Sequence, residues 1–377
     1  MARLGPRAWE QARAWAELLR LPALFTVPGD ALAGAAAIGV RPNSRTLLAI
    51  GSSVCLYEAG MALNDWADRA EDAVERPHRP LPSGRVRPAA ALVAAGALTA
   101  AGLALADRAG RPALAVAVPL AATVWAYDLA LKRTPAGPAA MATARGLDVL
   151  LGATATGGTS PSAHMLPGVT AACRTARRAL PSALAVATHT LAMTMVSRGE
   201  TQGGSPVAPL TALATTGALA WALANSPAGT GQPGHPAAAR SQPAGDTPTA
   251  PESTPLGGAR ASLDQTPGVT PSPSPGPGRP GPSPSPGPAP RLSPTPVTDT
   301  LRGALTLAYA ATSARPLFHA VLNPSPPLTQ RAVGGGIRAM IPLQATLAAR
   351  AGAPVTALLT AALAPAARKF ARKVSVT

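Results

Sequence analysis

The sequence predicts an all-α, polytopic transmembrane helical bundle, and three observations carry it. Charged residues are only 13% of the 377 and hydrophobic ones 47%, whereas soluble domains carry roughly 25% charged residues. Apolar runs near the ~20 residues that span a bilayer recur along the chain. The arginines fall in short loops and at both ends, as helix-end anchors do.

In chain order the runs are Leu21–Val40, Leu47–Leu63, Ala89–Ala106, Pro112–Leu131, Pro138–Ala155, Leu180–Val196, Val207–Asn225, Thr300–Val321 and Pro354–Ala367, about nine spans. The stretch Gly334–Arg350 is apolar but holds Arg338, Pro342 and Gln344, and stands as a tenth span, a re-entrant piece or an interfacial helix. Many runs are built from Ala and Gly, whose small side chains let helices approach closely in lipid. The first 20 residues carry Arg3, Arg7, Glu10, Arg13, Glu17 and Arg20 at helical spacing and read as an amphipathic lead-in rather than a signal peptide. Cys55 and Cys173 have neither metal-clip nor disulfide spacing and read as packing residues.

The net charge of +16 would suggest nucleic acid in a soluble protein, but scattered loop arginines beside apolar runs point to membrane lipid instead. Basic residues beside the first span favour placing the N-terminus in the cytoplasm of a cell-membrane protein. The loops Asn64–Pro88, Lys132–Gly137 and Ser197–Pro206 then share that face. Residues 227–299 hold 20 of the 44 prolines, including Pro-Ser-Pro-Ser-Pro-Gly-Pro. That composition is expected to be a disordered insert of polyproline II character. It divides the bundle into 1–226, with an acidic motif loop at 64–84, and 300–377.

The informative stretch is Leu63-Asn-Asp-Trp-Ala-Asp-Arg-Ala-Glu-Asp-Ala-Val-Glu-Arg-Pro-His-Arg-Pro-Leu-Pro-Ser-Gly84. If the second helix continues past the membrane, Asn64, Asp65, Asp68 and Asp72 share one face. Magnesium takes hard oxygen ligands and is commonly held by one or two carboxylates plus substrate phosphates. The bland account is a solvated acidic helix end balanced by Arg69, Arg76 and Arg79.

The order Asn-Asp-x-x-Asp-x-x-x-Asp, then Arg-Pro-x-Arg-Pro-Leu-Pro-Ser-Gly, resembles the first signature of the UbiA superfamily of intramembrane prenyltransferases. The resemblance covers nearly the whole chain outside the Pro-rich insert. It implies a helical bundle around a chamber, Mg2+ as cofactor, a polyprenyl diphosphate as donor and an aromatic or lipid acceptor. It also implies Asn64, Asp65, Asp68 and Asp72 as the metal and diphosphate motif, with Asp65, Asp68 and Asp72 the catalytic carboxylates and Arg76 and Arg79 beside the substrate. The segment Tyr127-Asp-Leu-Ala-Leu-Lys-Arg133 is similar to a family basic segment, and Lys132 and Arg133 would hold diphosphate, although positive-inside anchoring explains the pair without chemistry. Arg20 resembles a further basic position of the family.

The second Asp-rich motif of catalytic members is replaced by Ser197-Arg-Gly-Glu200, so that Arg198 and Glu200 are the remaining substrate-binding candidates there. The segments Ser197–Gly204, Gly137–Gly152 and Gly336–Gln344 resemble the EboC-like branch of the family, linked to secondary-metabolite handling and export. Two functions follow: a magnesium-dependent prenyltransferase, and a binding or transport component that keeps the diphosphate face without full catalysis. Within the spans, Arg145 and Asp148 are spaced for an intrahelical pair, Asp30 requires an internal partner, and His189 reads as a chamber or a packing histidine.

Overall fold

The computed structural model describes residues 6–20, 25–158, 168–199, 205–225 and 296–375. Among them are twelve α-helices: α1 Pro6–Leu18, α2 Val27–Ala37, α3 Ser44–Ala67, α4 Arg69–Glu75, α5 Pro88–Ala109, α6 Arg111–Ala126, α7 Gly137–Gly157, α8 Gly168–Ser197, α9 Val207–Asn225, α10 Pro296–Leu322, α11 Pro326–Arg350 and α12 Pro354–Ser375. A five-residue π turn, Tyr127–Leu131, extends α6.

Helix starts follow local chemistry. Asn43 caps α3: its side chain accepts from the N–H groups of Arg45 (3.0 Å) and Thr46 (3.2 Å), and Thr46 Oγ1 accepts from the Asn43 N–H at 2.9 Å. This reciprocal box satisfies amide donors that a helix start leaves orphaned. Proline opens α5 and α7 near their first positions, where its missing N–H costs nothing. In the interiors, threonine hydroxyls donate to the carbonyl one turn back, as at Thr190, Thr216 and Thr360, so these polar groups are satisfied without leaving the helix.

Five helices are long and apolar enough to cross a membrane by length and composition: Ser44–Ala67, Pro88–Ala109, Arg111–Leu131, Thr170–Ser197 and Val207–Asn225. They match five of the nine expected spans. The first expected span is met by α2, whose 11 residues rise only about 16 Å. The fifth is met by α7, which is long enough but carries Arg145 and Asp148 inside it. Gly334–Arg350, ambiguous in sequence, lies within the continuous 25-residue α11, which packs on α10, α12 and α8. The Pro-rich insert lies outside the described residues except at its end, where α10 begins at Pro296.

The packing is small-residue packing. The α2–α7 crossing is so tight that a Cβ on Gly34 would stand 2.1 Å from the Val149 carbonyl oxygen, and one on Gly152 would stand 2.3 Å from the Ala31 Cα. Backbone thus meets backbone, which replaces a solvophobic force that lipid does not supply. The core clusters are correspondingly alanine-rich, for example Ala49, Ala106, Ala113, Ala117 and Ala121 around Leu56 and Leu151. Cys55 and Cys173 are free thiols.

Candidate functional site

The acidic motif does not run on as one helix. α3 ends at Ala67, Asp68 takes a cap conformation (φ −88°, ψ 2°), and α4 resumes at Arg69. Asp65 and Asp72 are buried while Asp68 sits nearer the rim. Each carboxylate is met by the chain's own cations. Asp65 pairs with Arg20 at 3.0 Å and Arg79 at 3.7 Å; Asp72 pairs with Arg79 at 2.6 Å and Arg76 at 3.6 Å. Asp68 pairs with Lys132 at 2.6 Å and Arg133 at 3.1 Å. Arg133 also reaches Glu71. Arg69 turns away, with its guanidinium over the Trp66 ring.

The structure therefore separates what spacing drew on one face. Asp65 and Asp72 lean on Arg79, and Asp68 leans toward the end of the π turn. Asn64 donates from Nδ2 to Asp128 Oδ1 at 3.0 Å rather than standing beside the three carboxylates. Among the described residues no group of three or more acidic, His or Cys side chains is arranged to hold a metal. A magnesium ion taking one or two protein carboxylates and the rest of its shell from phosphate and water is compatible with this set. Asp68, at 21% side-chain exposure, is the most accessible of the three motif aspartates.

Behind this cluster lies a cavity of about 210 Å³. Its mouth carries Arg20, Asn64, Tyr127 and Asp128. Its wall is apolar, with Leu56, Met61, Leu120, Val124 and Met141, and its inner end is polar again, with Ser53, Tyr57, Arg145 and Asp148. From Ser53 to Asn64 is eleven residues of α3, about 16 Å. Arg20 is the one described non-glycine residue with positive φ (47°), a conformation that costs about 1–2 kcal/mol. The ion pair to Asp65 holds it there.

The π turn fits Asp128 and Lys132 into the site. It inserts one residue into the helical register, and Asp128 is turned inward at 5% exposure while Lys132 points at Asp68. In the sequence Asp128 lies inconspicuously within the basic segment Tyr127–Arg133. The signal available was an acidic residue inside an apolar run, which is costly unless it faces a partner. Glu58, also passed over, is buried on α3 with neither carboxyl oxygen hydrogen-bonded.

Arg145 and Asp148 do not form the expected intrahelical pair. Arg145 reaches across to Asp30 on α2 at 2.9 Å, and Asp148 accepts a short hydrogen bond from Ser53 on α3, because the α2–α7 crossing brings Asp30 closer to Arg145 than its own helix does. Asp30 so finds the partner its position demanded. His189 is a packing histidine, with Nδ1 at 3.1 Å from the Tyr309 hydroxyl and Nε2 at 3.1 Å from the Gly336 carbonyl oxygen. Arg198 donates to the Thr134 carbonyl at 2.7 Å, tying the end of α8 to the loop after the π turn. Glu200 lies outside the described residues.

Comparison with known proteins places these features in a lineage. The family model of the UbiA prenyltransferase family matches residues 23–230. A digeranylgeranylglyceryl phosphate synthase of Methanopyrus kandleri is 37% identical over 128 residues, covering 33% of this chain and 45% of that protein. One of Methanothrix thermoacetophila is 35% identical over 143 residues, covering 36% and 54%. The chain thus spans about half the length of the curated relatives it matches. A solved structure concerned with digeranylgeranylglyceryl phosphate synthase in membranes superposes with a TM-score of 0.50 at 14% identity, covering 91% of this chain and 99% of that one, a likeness of fold. With its apolar spanning helices and a family model matching over half its length, the chain is a membrane protein that belongs to the UbiA prenyltransferase family.

Proposed function

We propose that the chain is an integral membrane prenyltransferase, taking a prenyl group from an isoprenoid diphosphate to an aromatic or lipid acceptor with Mg2+. The observation that carries the reading is the cavity itself: an apolar wall behind a mouth of Arg20, Asn64, Tyr127 and Asp128, with Arg20 paired to Asp65 and the Asp68–Lys132–Arg133 cluster nearby. Diphosphate at the mouth would be met by Lys132 as a point charge and by Arg133 as a fork. Arg76 and Arg79 would hold Asp72 and Asp65 in place. Bound magnesium would stabilise charge on the departing diphosphate. The C1–O bond to diphosphate breaks with its electron pair leaving on oxygen, the acceptor supplies a pair to C1 and gives up its proton to the released diphosphate, and the apolar wall keeps water from the cation. Asn64, Asp65, Asp68 and Asp72 are the residues we assign to metal and diphosphate, with Arg198 and Glu200 at the second loop.

The positive-inside rule supports placing the N-terminus and this mouth on the cytoplasmic side. The packing of α9 on α10 supports reading 227–299 as an insert within one bundle. One observation favours the second reading, a binding or transport component: all three motif carboxylates are already neutralised by the chain's own cations. The test is magnesium-dependent release of pyrophosphate by purified protein given polyprenyl diphosphates and a panel of acceptors, beside Asp68→Ala. Release that disappears in the variant supports the transferase; diphosphate binding without release supports the second reading.

A further inference from the structure

The end of the bundle opposite the mouth is strongly basic. Arg45 stands on the first turn of α3, Arg108 and Arg111 flank the α5–α6 corner, and Arg174, Arg177 and Arg178 lie on the early turns of α8. All are exposed except Arg45, which is half-buried. They form one patch. A Cβ on Gly158 would lie 2.5 Å from Arg45 Nη1 and one on Gly110 would lie 3.7 Å from it, so Arg45 stands between the α5–α6 corner and the end of α7. A Cβ on the preceding Gly157 would lie 3.0 Å from Thr175 Cγ2, which brings Arg174 and its neighbours alongside.

The patch has no counter-charge of its own. The ion pairs of the described residues gather at the mouth, at Arg145–Asp30 and at Arg302–Asp299, and none reaches these six arginines. Asp107 is the only acidic residue within 43–48, 105–114, 154–158 and 168–180. Residues 159–167 and 226–295, which join helices at this end, hold three acids against four arginines and bring no net negative charge. Like charges so gathered repel one another, and the compensating anion must come from outside the chain. The positive-inside rule does not account for them, because Arg20, beside the N-terminal helix, is at the mouth.

Distance identifies the anion. Arg45 is twenty residues from Asp65 along α3, Arg108 twenty from Pro88 along α5, and Arg178 nineteen from Ser197 along α8, each about 30 Å. That is about the hydrocarbon thickness of a bilayer. With the mouth at one membrane surface, these arginines therefore stand at the headgroup level of the other. Leu47, Leu180 and Leu184 are exposed just inside them, an apolar surface for acyl chains. A phosphodiester headgroup offers the guanidinium fork its oxygens, and its chains follow the leucines. A free phosphate meets only the first of these.

We infer that this end of the bundle is a binding surface for anionic phospholipid, with the phosphate among the six arginines and the acyl chains along Leu47, Leu180 and Leu184. The inference does not depend on the transferase reading. The measurement is equilibrium binding of dioleoyl phosphatidylglycerol and dioleoyl phosphatidylcholine to the purified full chain in maltoside micelles, with empty micelles subtracted. Wild type binds phosphatidylglycerol about tenfold more tightly than phosphatidylcholine. Arg174→Gln combined with Arg178→Gln changes two exposed residues that are unpaired among the described ones, and removes most of that preference at unchanged Tm. Arg87→Gln combined with Arg331→Gln, an equal loss of charge at the mouth end, keeps it. Equal binding of the two lipids by wild type, an unchanged preference in the α8 variant, or the same loss in both variants overturns the inference. So does inorganic phosphate that displaces phosphatidylglycerol at equal concentration, which would mark a site for free anions.

Discussion

Replacing Arg79 by Met tests whether the buried acidic motif is held by charge. Arg79 NH1 lies 2.6 Å from Asp72 Oδ2 and 3.7 Å from Asp65 Oδ1, and the two aspartate side chains are 4% and 6% exposed. Removing one partner of a buried pair costs about 3–5 kcal/mol, since a charge is left behind. The figure is reduced here because Arg79 is itself 22% exposed, Asp65 keeps Arg20 at 3.0 Å, and Asp72 keeps Arg76 at 3.6 Å. The remainder is about 2–3 kcal/mol. At about 2–4 °C per kcal/mol, Tm should fall by about 4–12 °C. The assay is a thermal melt of detergent-purified protein followed by size-exclusion chromatography. Adding Asp72→Asn removes the stranded charge and should recover at least half of the loss. Magnesium should raise the Tm of Arg79→Met more than that of wild type, because the uncovered carboxylates take the ion. An unchanged Tm in Arg79→Met, or a double variant no better than the single, refutes the reasoning.

Gly34→Ala and Gly336→Ala should differ sharply although both introduce one methyl at a buried glycine. The first meets the Val149 carbonyl oxygen at 2.1 Å and the second meets Met193 Sδ at 2.1 Å; backbone cannot move aside and a thioether can. Gly34→Ala should cost at least about 3 kcal/mol and Gly336→Ala under about 1.5 kcal/mol, read as folded yield and Tm. Tyr309→Phe removes a partner of His189 Nδ1 at 3.1 Å and should lower stability by about 1 kcal/mol while leaving diphosphate binding unchanged. Asn64→Ala removes the donor to buried Asp128 and should weaken diphosphate binding by about tenfold, measured by titration, while lowering stability by about 1 kcal/mol.

The membrane class and the helices were legible because composition and run length report the solvent directly. The motif stretch was legible because its acidic and basic residues occur at helical spacings in one short segment. What spacing could not give was the direction of each carboxylate. Asp68 breaks α3 from α4, and the bonds that Asp65 and Asp72 make depend on Arg79, which returns to them only through the turn after α4. Arg145 and Asp148 misled for a related reason: three residues apart is a good intrahelical distance, but Gly34 and Gly152 bring another helix closer. The shortness of α2 was not legible because a run of apolar residues does not say where its helix stops. Asp128 was passed over because one acid in a basic segment looks like a bystander until the π turn faces it inward.

That π turn also sets a length rule. Five residues wound too wide form a poor helix, yet they act as a one-residue phase shift in a screw thread: everything after Leu131 is rotated by about 100° relative to an uninterrupted α-helix. Three contacts downstream share that phase, from Lys132 to Asp68, from Arg133 to Glu71, and from Thr134 to Arg198. Shortening the segment by a single residue would turn all three away together, whereas exchanging one side chain for another within it disturbs one place. Substitution and deletion here are different classes of change, and the chain's tolerance of the first says nothing of the second.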